Sequence, residues 1–245
     1  MRLIRAKNYD DMSLKAANII AAQVSLNPKS VLGLATGSTP IGTYRHLVEW
    51  YQKGELDFGK AVSINLDEYC GLSGDHPQSY RRFMRENLFD HINIPADRSF
   101  LPDGTQTDSA LECARYDRII KEHNGIDLQL LGIGRNAHIG FNEPDSCFAC
   151  GTHQVTLTES TIAANTRFFE NEAQVPRQAY SMGMQAIMQA KRVLLIASGA
   201  DKAEAIRNSF FGPVTPQVPA SILQLHRDVI VIADEAALAD CPAEA

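Results

Sequence analysis

VLGLATGSTPIG, residues 31–42, carries the reading of the fold. Val31–Ala35 is continuously apolar, as expected of a strand buried on both faces. Thr36, Gly37, Ser38 and Thr39 make a short polar loop, and Pro40 suits the first turn of a helix over Ile41–Gln52. A buried strand followed at once by a helix is half of a βαβ unit. The same alternation extends in both directions. Further apolar runs of strand length lie at Ala61–Leu66, Asp127–Ile133, Val193–Ala197 and Val229–Ala233. Thr152–Thr158 alternates, which predicts an edge or antiparallel strand. Helical patterns cover Asp10–Val24, Ser79–Phe89, Thr107–Glu122, Gln178–Gln189 and Ala203–Phe210. The expectation is a single α/β domain, Rossmann-like, with a mostly parallel sheet flanked by helices and right-handed crossovers. Ligands of such sheets bind beyond the carboxyl ends of the strands, so chemistry belongs in the loops that follow them.

Composition narrows the class of function. The 245 residues are 44% hydrophobic and 21% charged, which is ordinary for a globular chain and excludes bulk disorder. Lys and Arg number 23 against 29 Asp and Glu, a formal charge of −6 that speaks against nucleic acid as a partner. No apolar run approaches the ~20 residues that span a bilayer. The opening MRLIRAKNYDDM lacks the apolar region of a secretion signal. The five cysteines, at 70, 113, 147, 150 and 241, are irregularly spaced and point to a reduced, cytoplasmic setting. Cys147, Cys150 and His153 form C-x2-C-x2-H, but no second knuckle completes four zinc ligands, so no metal is expected. ADEAALADCPAEA, from Ala233 onward, reads as an acidic frayed end.

Three post-strand loops hold chemistry. Gly37, Ser38 and Thr39 offer backbone N–H groups and hydroxyls at a helix N-terminus, which suits an anion; helix capping by Ser38 or Thr39 would use the same residues. Asp67 and Glu68 adjoin the end of the second strand, where a carboxylate can abstract a carbon-bound proton. Neighbours on an extended chain point to opposite faces, so one of the two serves; capping the next element, or pairing with Arg81 or Arg82, is the structural alternative. LGIGRNAHIGFNEP, residues 131–144, places Asn136, His138 and Glu143 among glycines, an arrangement for an oriented acid–base histidine.

Together with TIAANTRFF (161–169), AYSMG (179–183), SGADKAEAI (198–206) and SILQLH (221–226), the motifs LATGSTP, NLDEY and GIGRNAHIGFNEP resemble the glucosamine-6-phosphate deaminase family in order and spacing along essentially the whole chain. The resemblance implies that Asp67 is the enolisation base. It implies that His138 opens the sugar ring, supported by Glu143 and Asn136. It implies that Gly37, Ser38, Thr39, Arg167 and Lys202 hold a phosphate, under a lid of roughly residues 158–187. The implied reaction converts glucosamine 6-phosphate to fructose 6-phosphate and ammonia, an isomerisation and hydrolysis that needs no cofactor. Two departures stand out. Asn136, where some relatives carry Asp, orients an imidazole without neutralising its cation. Ala137 replaces a usual glycine, at a cost on the order of 1 kcal/mol if φ is positive there. A 6-phosphogluconolactonase-like hydrolase and a sugar-phosphate-sensing domain are the competing readings. The second would need a fused DNA-binding segment, and only about 30 residues precede Val31. Allosteric members carry basic side chains where this chain has His153 and Val155, and a longer C-terminal segment. The expectation is therefore hyperbolic kinetics in a monomer or small oligomer, not an allosteric hexamer.

Overall fold

The computed structural model describes residues 1–242. Its elements, in chain order, are β1 (Arg2–Ala6), α1 (Tyr9–Leu26), β2 (Val31–Leu34), α2 (Ile41–Gln52), β3 (Val62–Asn65), β4 (Asp67–Tyr69), α3 (Tyr80–Asn87), β5 (Ser99–Phe100) and α4 (Ser109–Glu122). They continue with β6 (Leu128–Leu131), β7 (His153–Thr156), α5 (Glu159–Asn165), β8 (Gln178–Ser181), α6 (Met184–Gln189), β9 (Arg192–Ala197), α7 (Ala203–Phe211) and β10 (Val229–Asp234).

Seven strands form one sheet in the order β1-β10-β9-β6-β2-β3-β5, and every pairing in it is parallel. Both faces are covered, which is why β2, β6 and β10 are buried along their whole length and read as unbroken apolar runs. Strand order reverses between β2 and β6, so the loops after these two strands diverge and open a crevice at their carboxyl ends. Helix α1 shows how the flanking layer is held. Asn8 caps it through Asp11 N, and Met12, Ala16, Ile20 and Val24 form its buried stripe. Met12, Ile20 and Val24 each contribute about 1.5–3 kcal/mol relative to exposure.

A second, antiparallel sheet of order β4-β8-β7 sits beyond the first. The alternating 152–158 segment is its edge strand β7, as the pattern predicts. Two expectations change here. Gln178–Gln189 is not one helix: Gln178–Ser181 is strand β8, because β4 and β7 each need a partner and β8 supplies both. Only Met184–Gln189 is helical. Of the 158–187 segment expected as a lid, residues 179–184 are buried, Ala179, Tyr180, Ser181 and Met182 fully so. The chain also begins with a strand, β1, rather than about 30 residues before one. The acidic end is not frayed over its described part. Ala237 and Leu238 are buried, and Asp234 accepts from Ser198 Oγ, Gly199 N and Ala237 N. Residues 243–245 lie outside the described residues.

Gly183 joins β8 to α6 under tight confinement. A Cβ there would collide with the backbone carbonyl oxygens of Cys150 and Gly151. Gly183→Ala is expected to destabilise the chain by about 1–3 kcal/mol, the usual range for overpacking. Urea unfolding checks this: the midpoint falls with the slope unchanged. An unshifted midpoint would mean that the two carbonyls yield freely.

Candidate active site

A cavity of about 970 Å³ opens at the carboxyl ends of β2 and β6, the point where the strand order reverses. It is lined by the loop after β2, by β4, by the start of α3, by the loop after β6, by α5 with the turn following it, and by the segment after β9. Gly37, Ser38, Thr39, Asp67, Asn136, His138, Arg167 and Lys202 all face it. Glu143 stands behind His138. The nine residues expected from sequence thus converge on one place.

The loop after β2 turns on Gly37, whose φ is 92°. The N-cap of α2 is Pro40, with no side-chain capping bond, so neither Ser38 nor Thr39 is spent as a cap. Gly42 N is taken by Tyr9 Oη at 2.8 Å, which ties this helix start to α1. The cations gather at the same end. Lys202 ends a short turn after β9 and precedes α7, and its Nζ lies 3.7 Å from Asp201. Burial holds the Lys202 ammonium below its ordinary pKa; Asp201 opposes this, while Arg135 and Arg167 add to it. Arg135 is a cation the sequence reading passed over. It lines the cavity and its Nε donates to Asp201 at 2.9 Å. A basic residue in the glycine-flanked loop after β6 was the available signal.

The acidic pair divides as alternation requires. Glu68 turns away from the cavity and accepts from Tyr69 N, Tyr80 N and Arg81 N, each at 2.9 Å, fixing the start of α3. Burial raises its carboxyl to about 6 despite these bonds. Asp67 faces the cavity and is only 6% exposed. Burial, reinforced by the charge of Glu68, pushes its carboxyl up to about 8.

Across the cavity the histidine is set by a relay whose protons can be assigned. Asn136 Nδ2 donates to Glu143 Oε2 at 2.7 Å. A carboxylate only accepts, so the amide must present its NH2 to Glu143 and its Oδ1 to His138. His138 Nδ1 lies 2.7 Å from that Oδ1 and therefore carries the hydrogen, leaving Nε2 as the basic nitrogen of the neutral ring. Asn136 itself brings no charge, but Glu143 Oε2 is 3.5 Å from Nδ1 and supplies it. Burial acts to raise the Glu143 carboxyl; bonds and charge from His138, with Thr161 and Asn136, outweigh it and hold the group at about 2. Gly134 makes room for the imidazole, since a Cβ there would strike the ring. Ala137 takes φ 65°, in the left-handed region, so the condition for that strain is met. Also passed over were Thr161, bonded to Glu143 at 2.5 Å, and Tyr80, whose ring stacks 5.9 Å from Phe141 at 12°. Only the third dimension brings these to the site.

Folding raises the Asp67 pKa from an ordinary value of 3.8 to about 8, so the folded state holds this proton more tightly than the unfolded chain. The associated stability is complete below 3.8 and is lost progressively as pH climbs to about 8. Asp67→Asn cannot ionise. Its melting temperature relative to wild type is therefore expected to rise across that window and level off above it. A constant difference from acid to alkali would show that the carboxyl is not desolvated.

Comparison with known proteins places this geometry. The family model described as glucosamine-6-phosphate isomerases/6-phosphogluconolactonase matches residues 6–232. A glucosamine-6-phosphate deaminase of Lachnoclostridium phytofermentans is 61% identical over 232 residues, which is 95% of this chain and 98% of that protein. A solved monomeric glucosamine-6-phosphate deaminase superposes with a TM-score of 0.96 at 45% identity, covering 98% of this chain and 100% of the other. A 6-phosphogluconolactonase from Leishmania guyanensis shares the fold, with a TM-score of 0.77 at 21% identity and 99% of each chain covered. The match to the family model and the identity to the deaminase relative both run along nearly the whole sequence, and the chain belongs to the glucosamine-6-phosphate isomerase/6-phosphogluconolactonase family, on its deaminase branch.

Proposed function

We propose that this enzyme converts glucosamine 6-phosphate to fructose 6-phosphate and ammonia. The observation that carries the reading is a buried, proton-seeking carboxylate, Asp67, sharing one cavity with an oriented His138 and a cationic end at Lys202 and Arg167. The phosphate rests on the Gly37, Ser38 and Thr39 loop with Lys202 and Arg167. That anchor orients the reacting carbons at the opposite end of the substrate. His138 Nε2 takes the proton of the anomeric hydroxyl and delivers one to the ring oxygen, which opens the ring. Glu143 stabilises the imidazolium through this step, a charge that Asn136 cannot supply. Ionised Asp67 then removes the C2 proton while a solvent proton goes to the C1 oxygen, giving an enolamine, and the protonated Asp67 returns its proton to C1. The product is a ketose iminium ion, and water adds to it to release ammonia as ammonium. Desolvation makes Asp67 the stronger base its task requires.

The lid proposed over 158–187 covers this site through its first part, where Ser160, Thr161, Asn165, Arg167 and Phe169 line the cavity. The setting is cytoplasmic; none of the helices among the described residues is long and apolar enough to cross a membrane, and the five cysteines are free. The substrate is a phosphorylated amino sugar, with no metal or redox cofactor in the reaction as written.

Ammonia release from glucosamine 6-phosphate tests the function, with 6-phosphogluconolactone hydrolysis and plain ligand retention as the rival outcomes. Asp67→Asn is expected to lose about 10²–10⁴-fold in turnover while still binding the sugar phosphate. Lys202→Ala is expected to raise KM about tenfold to a hundredfold, the worth of a charge-assisted contact to phosphate. Retention of a tenth of wild-type turnover by Asp67→Asn would remove Asp67 from its role.

A monomer or small oligomer with hyperbolic kinetics goes with this reading. Val155 on β7 can neither donate nor pair with phosphate, and His153 is engaged with Gly151 O at 3.1 Å. The solved deaminase described above is itself monomeric. With no lysine or arginine at these two positions, they have little differential affinity to offer an anionic effector. Sedimentation at enzyme-assay concentration, with rate curves with and without N-acetylglucosamine 6-phosphate, checks this. A sigmoidal curve that the effector straightens would overturn it.

A further inference from the structure

We propose that Thr161 is a positioning residue for ring opening, setting the Glu143 carboxylate that in turn sets His138; this rests on the role given to His138 above. The Glu143 carboxylate serves two elements at once. Oε2 faces the relay, receiving Asn136 Nδ2 at 2.7 Å and standing 3.5 Å from His138 Nδ1. Oε1 faces α5, receiving the Thr161 hydroxyl at 2.5 Å and lying 3.3 Å from Thr158 Oγ1. Its side chain is 6% exposed and Thr161 is 5% exposed, so water does not replace either bond cheaply.

The direction of the Thr161 bond is fixed by the carboxylate, which only accepts, so the one Thr161 hydroxyl proton goes to Oε1 and Thr161 Oγ1 can only accept from Thr158 Oγ1, 3.1 Å away. Thr158 is also the N-cap of α5, accepting from Thr161 N, so both hydroxyls are held by the first turn of that helix. A carboxylate gripped at one oxygen only can rotate about its last bond. Gripped at both, it presents Oε2 to Asn136 and His138 in one orientation. α5 continues into the turn that carries Arg167. One short segment therefore bears the donor that orients the acid–base relay and a cation at the phosphate end of the cavity. Seating of the phosphate and alignment of His138 are thereby joined through Thr161.

The test compares Thr161→Val, which keeps the branch and volume but has no donor, with Thr161→Ser, which restores one. Two substrates are used. Glucosamine 6-phosphate needs ring opening. Its 4,5-dideoxy analogue has no hydroxyl to close a five- or six-membered ring, and its C2 proton exchange is followed by NMR in deuterated water. Thr161→Val is expected to lose about tenfold to a hundredfold in kcat on the closed sugar, as for a hydrogen bond to a charged group, with KM nearly unchanged. Exchange on the open analogue is expected to stay at the wild-type rate, and Thr161→Ser to recover most of kcat. Glu143→Gln is run beside them. If it leaves ring opening intact, the role of the relay itself falls. If it abolishes ring opening while Thr161→Val does not, or if Thr161→Val slows both substrates equally, the role given to Thr161 falls. Thr161→Ala repeats the comparison should the valine variant not fold, with the same expectation and the same overturning result.

Discussion

Leu66 is bonded to both sheets. Its N–H donates to Leu34 O at 3.1 Å in the parallel sheet, and its carbonyl accepts from Met182 N at 2.7 Å in the antiparallel one. The chain leaves one sheet for the other at this residue, and Asp67 is the first residue beyond it. That exchange of partners satisfies the backbone without solvent, which is what allows an acidic side chain to be seated where water barely reaches. It also explains why β8 must be a strand. Without it, Leu66, β4 and β7 would each leave buried backbone groups unmet.

Two carboxylates of the site, Asp67 in the cavity and Glu143 behind His138, are driven in opposite directions by this architecture. Asp67 is raised to about 8 by burial beside Glu68, while Glu143, also buried, is brought to about 2 by the donors around it. Burial is the largest single effect on both, so it does not separate them. The difference is what surrounds each carboxylate: Glu143 gathers His138, Thr161 and Asn136, whereas Asp67 has a like charge next door. A pair of acids with separated proton affinities lets one serve as a base and the other remain a fixed negative charge at the same pH. Glu68 completes the pattern by staying out of the cavity and fixing α3.

The α/β architecture, five of the seven strands of the main sheet and the convergence of the loops were legible in the residues, because a strand buried on both faces has no alternative to an unbroken apolar run and because a parallel sheet gathers its loops at one edge. Gly37, Asp67, Asn136, His138, Glu143, Arg167 and Lys202 sit in or beside such loops, or in motifs carried by the family resemblance. β1 and β5 escaped because an edge strand is short and half exposed, with no periodicity to mark it. The helix pattern at 178–189 misled because local periodicity is weaker than the demand of two neighbouring strands for a partner. Arg135 and Thr161 acquire their meaning only from Asp201 and Glu143, which approach them across the folded chain. Residue types and loop order are properties of the sequence; which oxygen of a carboxylate meets which donor, and how much water remains around it, is set by packing alone.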